Sequence, residues 1–262
     1  MALPFLLIAE NDNNVLFFSH LQAISKQMGI MEQMQQALAM LVGLDADLWE
    51  IILLSVRVSG TATLLALLFG VPLGALLATR SFAGRNLVII LVNSLLALPP
   101  VVAGLIIYLL LSRSGPFGWL DLLYSPAAMI IAQFILILPI AAALSRQVFE
   151  QMMAEYAPLL ASLRCSTSQR IMLLLRDGRL ALITVVLACF GRAIAEVGAV
   201  IIVGGNINHV SRVLTTSIAL ETSRGELALA LALGIVLLVI ALLVNLAGQL
   251  IRYLLQRSAA DV

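Results

Sequence analysis

The chain has 262 residues, of which 62% are hydrophobic and 11% are charged. Soluble domains contain about 45–50% apolar and about 25% charged residues. Because so few charges cannot cover a soluble protein of this size, the composition indicates an integral membrane protein. The net charge of +1 excludes binding of nucleic acid through a strongly basic surface.

Residues 1–49 form a segment apart from the rest of the chain. Its first nine residues are apolar but too short to span a membrane. Apolar residues then recur at helical spacing: Leu21, Ile24, Met28, Met31, Leu38 and Val42. This spacing predicts an amphipathic helix on the membrane surface or against the bundle. The alternative is a start codon placed too far upstream, with Met31 or Met34 as the true start.

Residues 50–256 are predicted to form the transmembrane domain. Four stretches without Asp, Glu, Lys or Arg are long enough to span a membrane: residues 58–79, 86–112, 122–145 and 227–251. In a fifth stretch, residues 180–203, the only charged side chains are Arg192 and Glu196. We therefore predict an all-α membrane protein with about five transmembrane helices.

The placement of arginine predicts the orientation, because cytoplasmic loops carry an excess of Lys and Arg. If the loop at residues 146–179 is cytoplasmic, nine arginines share its side: Arg80, Arg85, Arg146, Arg164, Arg170, Arg176, Arg179, Arg252 and Arg257. The other side then holds Lys26, Arg113, Arg212 and Arg224. We expect the N-terminus outside the cell and the C-terminus in the cytoplasm.

Proline and glycine residues indicate bent and closely packed spans. The first three spans contain Pro72, Pro99, Pro100 and Pro139. Each proline removes a helical hydrogen bond, and the Pro99–Pro100 pair predicts a discontinuous helix near a solute pathway. Gly70 and Gly74 have the spacing of small residues at which two membrane helices approach closely.

Arg192 and Glu196 are the charged residues most informative about function. A charge at the centre of a bilayer costs about 2.5–3.5 kcal/mol, and the spacing of four places both side chains on one helical face. They are predicted either to form a buried ion pair that fixes helix register or to line a solute pathway. With Pro99 and Pro100 they are our candidates for the translocation pathway.

Beyond them, residues 211–221 predict a re-entrant or surface helix, or a simple outer loop.

No catalytic, metal or disulfide motif is recognisable. His20 and His209 are isolated, so no zinc-ligand spacing exists. Cys165 and Cys189 lie in very different contexts, one polar and one apolar, which implies no disulfide. The absence of a G-x-x-x-x-G-K-[ST] loop indicates that the chain has no nucleotide site of its own.

The loop at residues 146–179 is the longest polar segment between spans. Glu155 followed by Pro158 is typical of a helix start, and predicts a short helix here. Such a helix would place Leu159, Leu160 and Leu163 on one side, which suits docking into a groove of a partner protein. An ordinary surface helix is the alternative.

The same loop resembles the EAA loop of permeases of binding-protein-dependent ABC importers. Glu155 and Ala157 match the first and third positions of its Glu-Ala-Ala start, while Tyr156 replaces the first alanine. Ala161 stands where glycine is usual, and Arg164 fits the continuation. The motif's final Leu-Pro is replaced here by a Leu-Leu-Arg-Asp sequence.

Sequences within the spans extend the resemblance over about residues 48–253. They resemble the permeases of tungstate ABC importers in four segments: SVRVSGTATLLALLFGVPLGALLA, LALPPVVAGLIIYLLLSRSGPFG, GRAIAEVGAVIIVGGNI and RVLTTSIALET. This resemblance implies the five-helix core of type I importers (MetI-like), working as a homodimer in the inner membrane.

The resemblance also implies a function and partners. The chain would be a non-enzymatic permease that carries an oxyanion, tungstate, by alternating access. It would bind no cofactor, since a separate ABC ATPase would use the ATP, and a tungstate-binding protein would deliver the anion outside. By the same resemblance, Glu155, Ala157, Ala161 and Arg164 would couple the ATPase to the spans.

Other functions stay open from the residues alone. A molybdate or sulfate permease would share the architecture. A secondary transporter or channel would need ionisable residues in several spans, and a membrane enzyme would need clustered His, Asp or Cys residues. A purely structural membrane subunit would explain the glycines and prolines by packing.

Overall fold

The computed structural model describes residues 46–163 and 165–260, together with Gln35. The predicted amphipathic helix falls in residues 1–45, of which the structure describes Gln35 alone, so it stays a prediction. The helices in chain order are α1 (Ala46–Thr79), α2 (Arg85–Leu95), α3 (Pro100–Leu111), α4 (Pro126–Ser162), α5 (Thr167–Asp177), α6 (Arg179–Ile194), α7 (Gly198–Gly204), α8 (Leu214–Arg224) and α9 (Leu227–Ala260). A short 3-10 helix, Gly118–Leu120, lies between α3 and α4. No strand occurs in this described part.

Three of these helices, α1, α4 and α9, are each long and apolar enough to cross a membrane. Two further spans arise if each bent pair counts as one: α2 with α3, bent by 102°, and α6 with α7, bent by 55°. The predicted all-α fold with about five transmembrane helices is therefore confirmed. The predicted spans at residues 86–112 and 180–203 are each two helices rather than one.

The bend between α2 and α3 lies at the two prolines, as predicted. Pro99 is the N-cap of α3, with an extended backbone (φ −64°, ψ 127°), and Pro100 is its first residue. Proline has no N–H to continue the α2 ladder, but its fixed φ suits the first turn of a new helix. By contrast, α1 and α4 continue past Pro72 and Pro139, so a single proline does not end these helices.

The centre of the fold is the pairing of α1 with α4. A β-carbon added to Gly70 would lie 2.7 Å from the Ala141 Cβ, and one added to Gly74 would lie 2.2 Å from the Ser145 Oγ. Since real β-carbons do not approach so closely, these two glycines permit the contact. The predicted close approach of helices at Gly70 and Gly74 is confirmed.

The polar segment after the third long stretch differs from the prediction. Helix α4 is 37 residues long and continues through Pro158, so the predicted start of a short helix near Glu155 is wrong. Proline at this position frees the carbonyl of Ala154, which lies on an exposed part of the helix where water can bind it. The next helix, α5, begins at a capping box in which the Ser166 and Gln169 side chains accept each other's backbone N–H groups.

Residues 211–221 contribute to a helix, α8, rather than to a simple loop. The first turns of α8 are buried, and the helix ends at Gly225 with φ +84°, a conformation that glycine adopts without strain. Cys165 and Cys189 are both free thiols, which agrees with the prediction of no disulfide.

Candidate functional site

Arg192 and Glu196 form the ion pair that their spacing predicted. The Arg192 Nη1 donates a hydrogen bond to the Glu196 Oε2. The predicted shared helical face is wrong, however, because α6 ends at Ile194 and Glu196 lies in the bend before α7. The Glu196 side chain is 4% exposed, whereas that of Arg192 is 39% exposed. The pair is therefore buried on its acidic side and open on its basic side.

The buried carboxylate of Glu196 is satisfied at both oxygens. Its Oε1 accepts the backbone N–H of Ala199 at 3.2 Å, in the first turn of α7. That N–H belongs to the start of a helix, where no backbone carbonyl can accept it. Because an unpaired buried charge is costly, these bonds and Arg192 explain how Glu196 is tolerated inside the bundle.

Side chains from two other helices hold the bend between α6 and α7. The Gln133 Nε2 on α4 donates to the carbonyl of Ala193 at 3.0 Å, near the end of α6. The Thr215 Oγ1 on α8 donates to the carbonyl of Glu196 at 2.9 Å. The Ala193 carbonyl also accepts the backbone N–H of Glu196, so the bond from Gln133 is a second one at this oxygen. The two side-chain bonds tie the bend to α4 and α8.

The start of α8 is in turn attached to α1. The Leu214 N–H donates to the Ser55 Oγ at 2.8 Å, although the two residues are 159 positions apart. Buried oxygens on the helices that hold the bend, Gln133 Oε1 and Ser217 Oγ, have no partner among the described residues. Buried polar atoms of this kind are positions where a water molecule can bind.

The bend between α2 and α3 lies against the bend between α6 and α7. A β-carbon added to Gly104 would lie 2.7 Å from the Ala199 Cα, and one added to Gly198 would lie 2.9 Å from the Val101 Cγ2. The fold thus brings together the starts of α3 and α7, where the candidate pathway residues Pro99, Pro100 and Glu196 lie, with Arg192 paired to Glu196. Sequence reasoning named these four residues but could not predict the meeting of the two bends.

The candidate coupling residues lie at the end of α4. Glu155 and Ala157 are exposed in its last turns, and Ala161 belongs to the same helix. Arg164 lies outside the described residues. The structure therefore brings three of the four residues onto one helical end, which is distinct from the helix bends.

Exposed apolar side chains surround this end of α4. Leu159 is 58% exposed, Leu163 is 64% exposed, and Met172 on α5 is 68% exposed. Leu160 is 2% exposed, so only two of the three leucines predicted to share one side are available to a partner. Exposed apolar groups beside charged ones are typical of a surface that binds another protein.

A second group of ionisable residues, which the sequence did not indicate, joins the start of α1 to the loop after α7. The His209 Nδ1 lies 2.8 Å from the Glu50 Oε2, and ligand atoms of Asp47, Glu50 and His209 all lie within 4.8 Å of one another. These three exposed residues are the ones, within the described ranges, that are placed to hold a cation. The hydrogen bond that His209 donates to the Glu50 carboxylate, followed by the charge of Glu50, raises the pKa of His209 above its usual 6.5. A separation of 159 residues hid this contact from spacing arguments.

Comparison with known proteins identifies the family. Residues 70–260 match the family described as the inner membrane component of binding-protein-dependent transport systems. The chain is 41% identical over 216 residues to the tungstate uptake system permease protein TupB of Peptoclostridium acidaminophilum, covering 82% of this chain and 95% of that protein.

Two further relatives agree with this match. TupB of Campylobacter jejuni is 39% identical over 82% of this chain and 90% of its own length. A probable anion ABC transporter permease protein of Haloferax volcanii is 36% identical over 76% of this chain and 88% of its own length. Together with the apolar helices, these matches make the chain a multi-pass protein of the inner membrane and a transport subunit. The chain belongs to the family of inner membrane components of binding-protein-dependent transport systems.

Proposed function

We propose that the chain is the permease subunit of an ATP-driven ABC importer that carries tungstate inward by alternating access. The observation that carries this proposal is the Arg192–Glu196 pair in a helix bend, with its basic side open. Two of the relatives reported above are named as tungstate uptake permeases, which supports the choice of anion.

Arg192 suits a pathway for a tetrahedral dianion. Its guanidinium has five N–H donors, and the bond to Glu196 comes from Nη1 alone. The remaining donors can bind the oxygens of an oxyanion, since Arg is the residue that best fits such groups. Glu196 offsets part of the positive charge, so an anion is attracted without being held too tightly to move on.

The two helix bends supply the movable part of the mechanism. Interrupted helices in membranes are tolerated where they line a cavity or pack against protein. Here the 102° and 55° bends contact each other, so a shift of one changes the position of the other. In the proposed cycle, the pathway opens alternately to the two sides as these bends move.

The family and the exposed end of α4 support a complex with further subunits. An ABC ATPase docks at the end of α4, on Glu155, Ala157, Ala161 and Arg164, and binds the ATP, while the permease binds no cofactor. A tungstate-binding protein docks on the outer side, and two copies of the permease form a homodimer. Residues 1–49 are an extension outside the permease domain of residues 50–256, with the N-terminus outside and the C-terminus in the cytoplasm.

Measurement of the elements that cells accumulate tests this function. Cells with and without the chain are given tungstate, molybdate or sulfate, and intracellular tungsten, molybdenum and sulfur are compared. We expect loss of the chain to abolish tungsten uptake at low concentration, and loss of the ATPase to do the same. Selective loss of molybdenum or sulfur uptake would assign the alternative anion, and uptake that survives loss of the ATPase would assign a secondary transporter.

A further inference from the structure

Three charged side chains meet where α1 ends, α2 begins and α4 passes. The Arg85 Nη2 donates to the Glu150 Oε1 at 2.8 Å, and the Arg146 Nη1 donates to the same oxygen at 3.0 Å and to the Glu150 Oε2 at 2.9 Å. We call Arg85, Arg146 and Glu150 the Glu150 cluster. One carboxylate thus holds two guanidiniums that would otherwise repel each other.

Arg85 connects three helices through this cluster. It is the first residue of α2, and its Nε donates to the carbonyl of Leu77 at 2.7 Å. That carbonyl belongs to the last turn of α1, where no backbone N–H of the helix is available to it. Gly84, with φ +92°, makes the turn that brings Arg85 into this position. The start of α2 is therefore bound to the end of α1 and to α4 by one side chain.

The helices on which Arg85 is anchored form one packed unit. A β-carbon added to Gly74 would lie 2.8 Å from the backbone nitrogen of Arg146, so α1 and α4 touch beside the cluster. Val88 and Val92 of α2 pack against Ala142 and neighbouring residues of α4. The Glu150 cluster fixes the start of α2 to this unit by charge, and the valines add apolar contact.

The far end of α2 leads to the candidate pathway. Beyond the 102° bend, α3 packs through Gly104 on Ala199 of α7. The N–H of the same Ala199 is bound by Glu196, the partner of Arg192. Contacts are thus continuous from Glu150 through α2, α3 and α7 to the Arg192–Glu196 pair.

We propose that Glu150 is a positioning residue for coupling, which makes the start of α2 move together with α4. Glu155, the proposed contact of the ATPase, lies on the same helix as Glu150. Motion of α4 then reaches α7 through α2 and α3, in addition to the direct bond from Gln133 of α4 to the α6–α7 bend, and changes the setting of the Arg192–Glu196 pair. This inference rests on the proposed function, in which a separate ATPase moves the end of α4.

Coupling in the whole complex tests the role of Glu150. The permease with its ATPase and binding protein is reconstituted in vesicles, and tungstate uptake and ATP hydrolysis are measured together. Glu150→Gln would leave the guanidiniums of Arg85 and Arg146 facing each other without a carboxylate between them. We expect it to lower the ratio of tungstate imported to ATP hydrolysed by about threefold or more. Substitutions between two coupled sites change coupling by this order. Glu150→Asp keeps the carboxylate and should restore much of the ratio.

Two further variants separate coupling from folding. Arg85→Gln frees α2 but keeps the Arg146–Glu150 pair, so it should lower the ratio even if Glu150→Gln does not assemble. Glu226→Gln is the matched control, because it removes an exposed carboxylate between α8 and α9 that has no ion pair within the described part of the chain. It should leave the ratio unchanged.

A distance measurement gives a readout that does not depend on uptake. Spin labels at Ser81 and Ala154, both exposed, report the separation of the α1–α2 turn and α4 in a background without Cys165 and Cys189. We expect the distance to stay constant with and without ATP when Glu150 is present, and to change with ATP in Glu150→Gln. Constant distances and a normal ratio in both Glu150→Gln and Arg85→Gln would overturn the inference.

A wild-type complex that hydrolyses ATP but imports no tungstate would overturn the proposed function instead, and the label distances would still test Glu150.

Discussion

The Glu196 carboxylate is buried at 4% exposure, while the Arg192 side chain that neutralises it keeps 39% of its area open. The two residues therefore differ in how much they depend on each other as hydrogen-bond partners. Glu196 depends on Arg192 and on the Ala199 N–H for its stability inside the bundle. Arg192 has open donors that can bind an anion or water, so loss of either residue should have a different effect.

Replacement of Arg192 by alanine should reduce both stability and transport. It leaves the buried Glu196 carboxylate with one of its two partners, which costs about 1–3 kcal/mol of the free energy of unfolding. Tungstate uptake should fall by about tenfold or more, since the guanidinium contributes charge-assisted bonds to the anion. Thermal unfolding of the purified permease and uptake in vesicles measure the two effects.

The double variant Arg192→Gln with Glu196→Gln separates these effects. It removes both charges and keeps polar groups that can bond to each other, so its stability should lie close to wild type. Its uptake should stay low because no positive charge remains. Normal uptake by Arg192→Ala in a stable, ATPase-coupled complex would show that the pair has only a structural role.

Addition of one methyl group at Gly104 should disturb the contact between the two bends. The new β-carbon would lie 2.7 Å from the Ala199 Cα, and overpacking of this kind costs about 1–3 kcal/mol. We expect a lower unfolding temperature and slower uptake for Gly104→Ala. In the matched control, Gly191→Ala, the added carbon meets no described atom within 4 Å beyond its chain neighbours and the nearby backbone of its own helix, so stability should be unchanged or slightly higher. Equal effects of the two variants would contradict the packing described here.

Reversal of the charge at Glu155 should weaken the interaction with the ATPase. We expect Glu155→Lys to reduce recovery of the ATPase with the permease by about tenfold, or to leave hydrolysis without uptake, as for a charge at the centre of an interface. Gln151→Lys is the control, because it places the same charge on an exposed position one turn earlier in α4. Co-purification and uptake per ATP hydrolysed are the measurements. If both lysine variants behave like wild type, the end of α4 is not the docking site.

The contact between Glu50 and His209 should make stability depend on pH. The hydrogen bond to Glu50 raises the pKa of folded His209 above 6.5, Asp47 adds to the rise, and Arg212 opposes it. The stabilisation is therefore complete below about pH 6.5 and is lost as the pH rises through the raised pKa. The difference in unfolding temperature between wild type and Glu50→Gln should be larger at about pH 5.5 than at about pH 9.

The variant His209→Gln checks this assignment. With no titratable ring at position 209, the effect of Glu50→Gln should be the same at both pH values. A pH-dependent difference that persists in the His209→Gln background would mean that another group titrates.

The sequence predicted those features that depend on residues close together in the chain. The bend at Pro99 and Pro100 follows from the missing N–H of proline, and the Arg192–Glu196 pair follows from a spacing of four residues. The close approach at Gly70 follows from the need of membrane helices for small residues at their contacts.

Contacts between distant residues could not be predicted in this way. Arg85 and Glu150 are 65 positions apart, and neither lies in a recognisable motif. Pro158 predicts a helix start because proline favours the first turn, yet the helix that begins at Pro126 continues through it. The spacing predicts Glu196 on a continuous helix, whereas its bond to the Ala199 N–H at the start of α7 depends on the bend.

The length of α4 has a mechanical consequence. Its 37 residues extend for about 55 Å, at about 1.5 Å per residue, whereas the hydrocarbon core of a bilayer is about 30 Å thick. One continuous helix therefore crosses the membrane and projects well beyond it, so it can act as a lever. A small tilt of the part inside the membrane corresponds to a larger sideways movement at the projecting tip. The same helix carries Gln133 beside the α6–α7 bend and Glu155 near its tip, so force applied at the tip reaches the bend without passing through a loop.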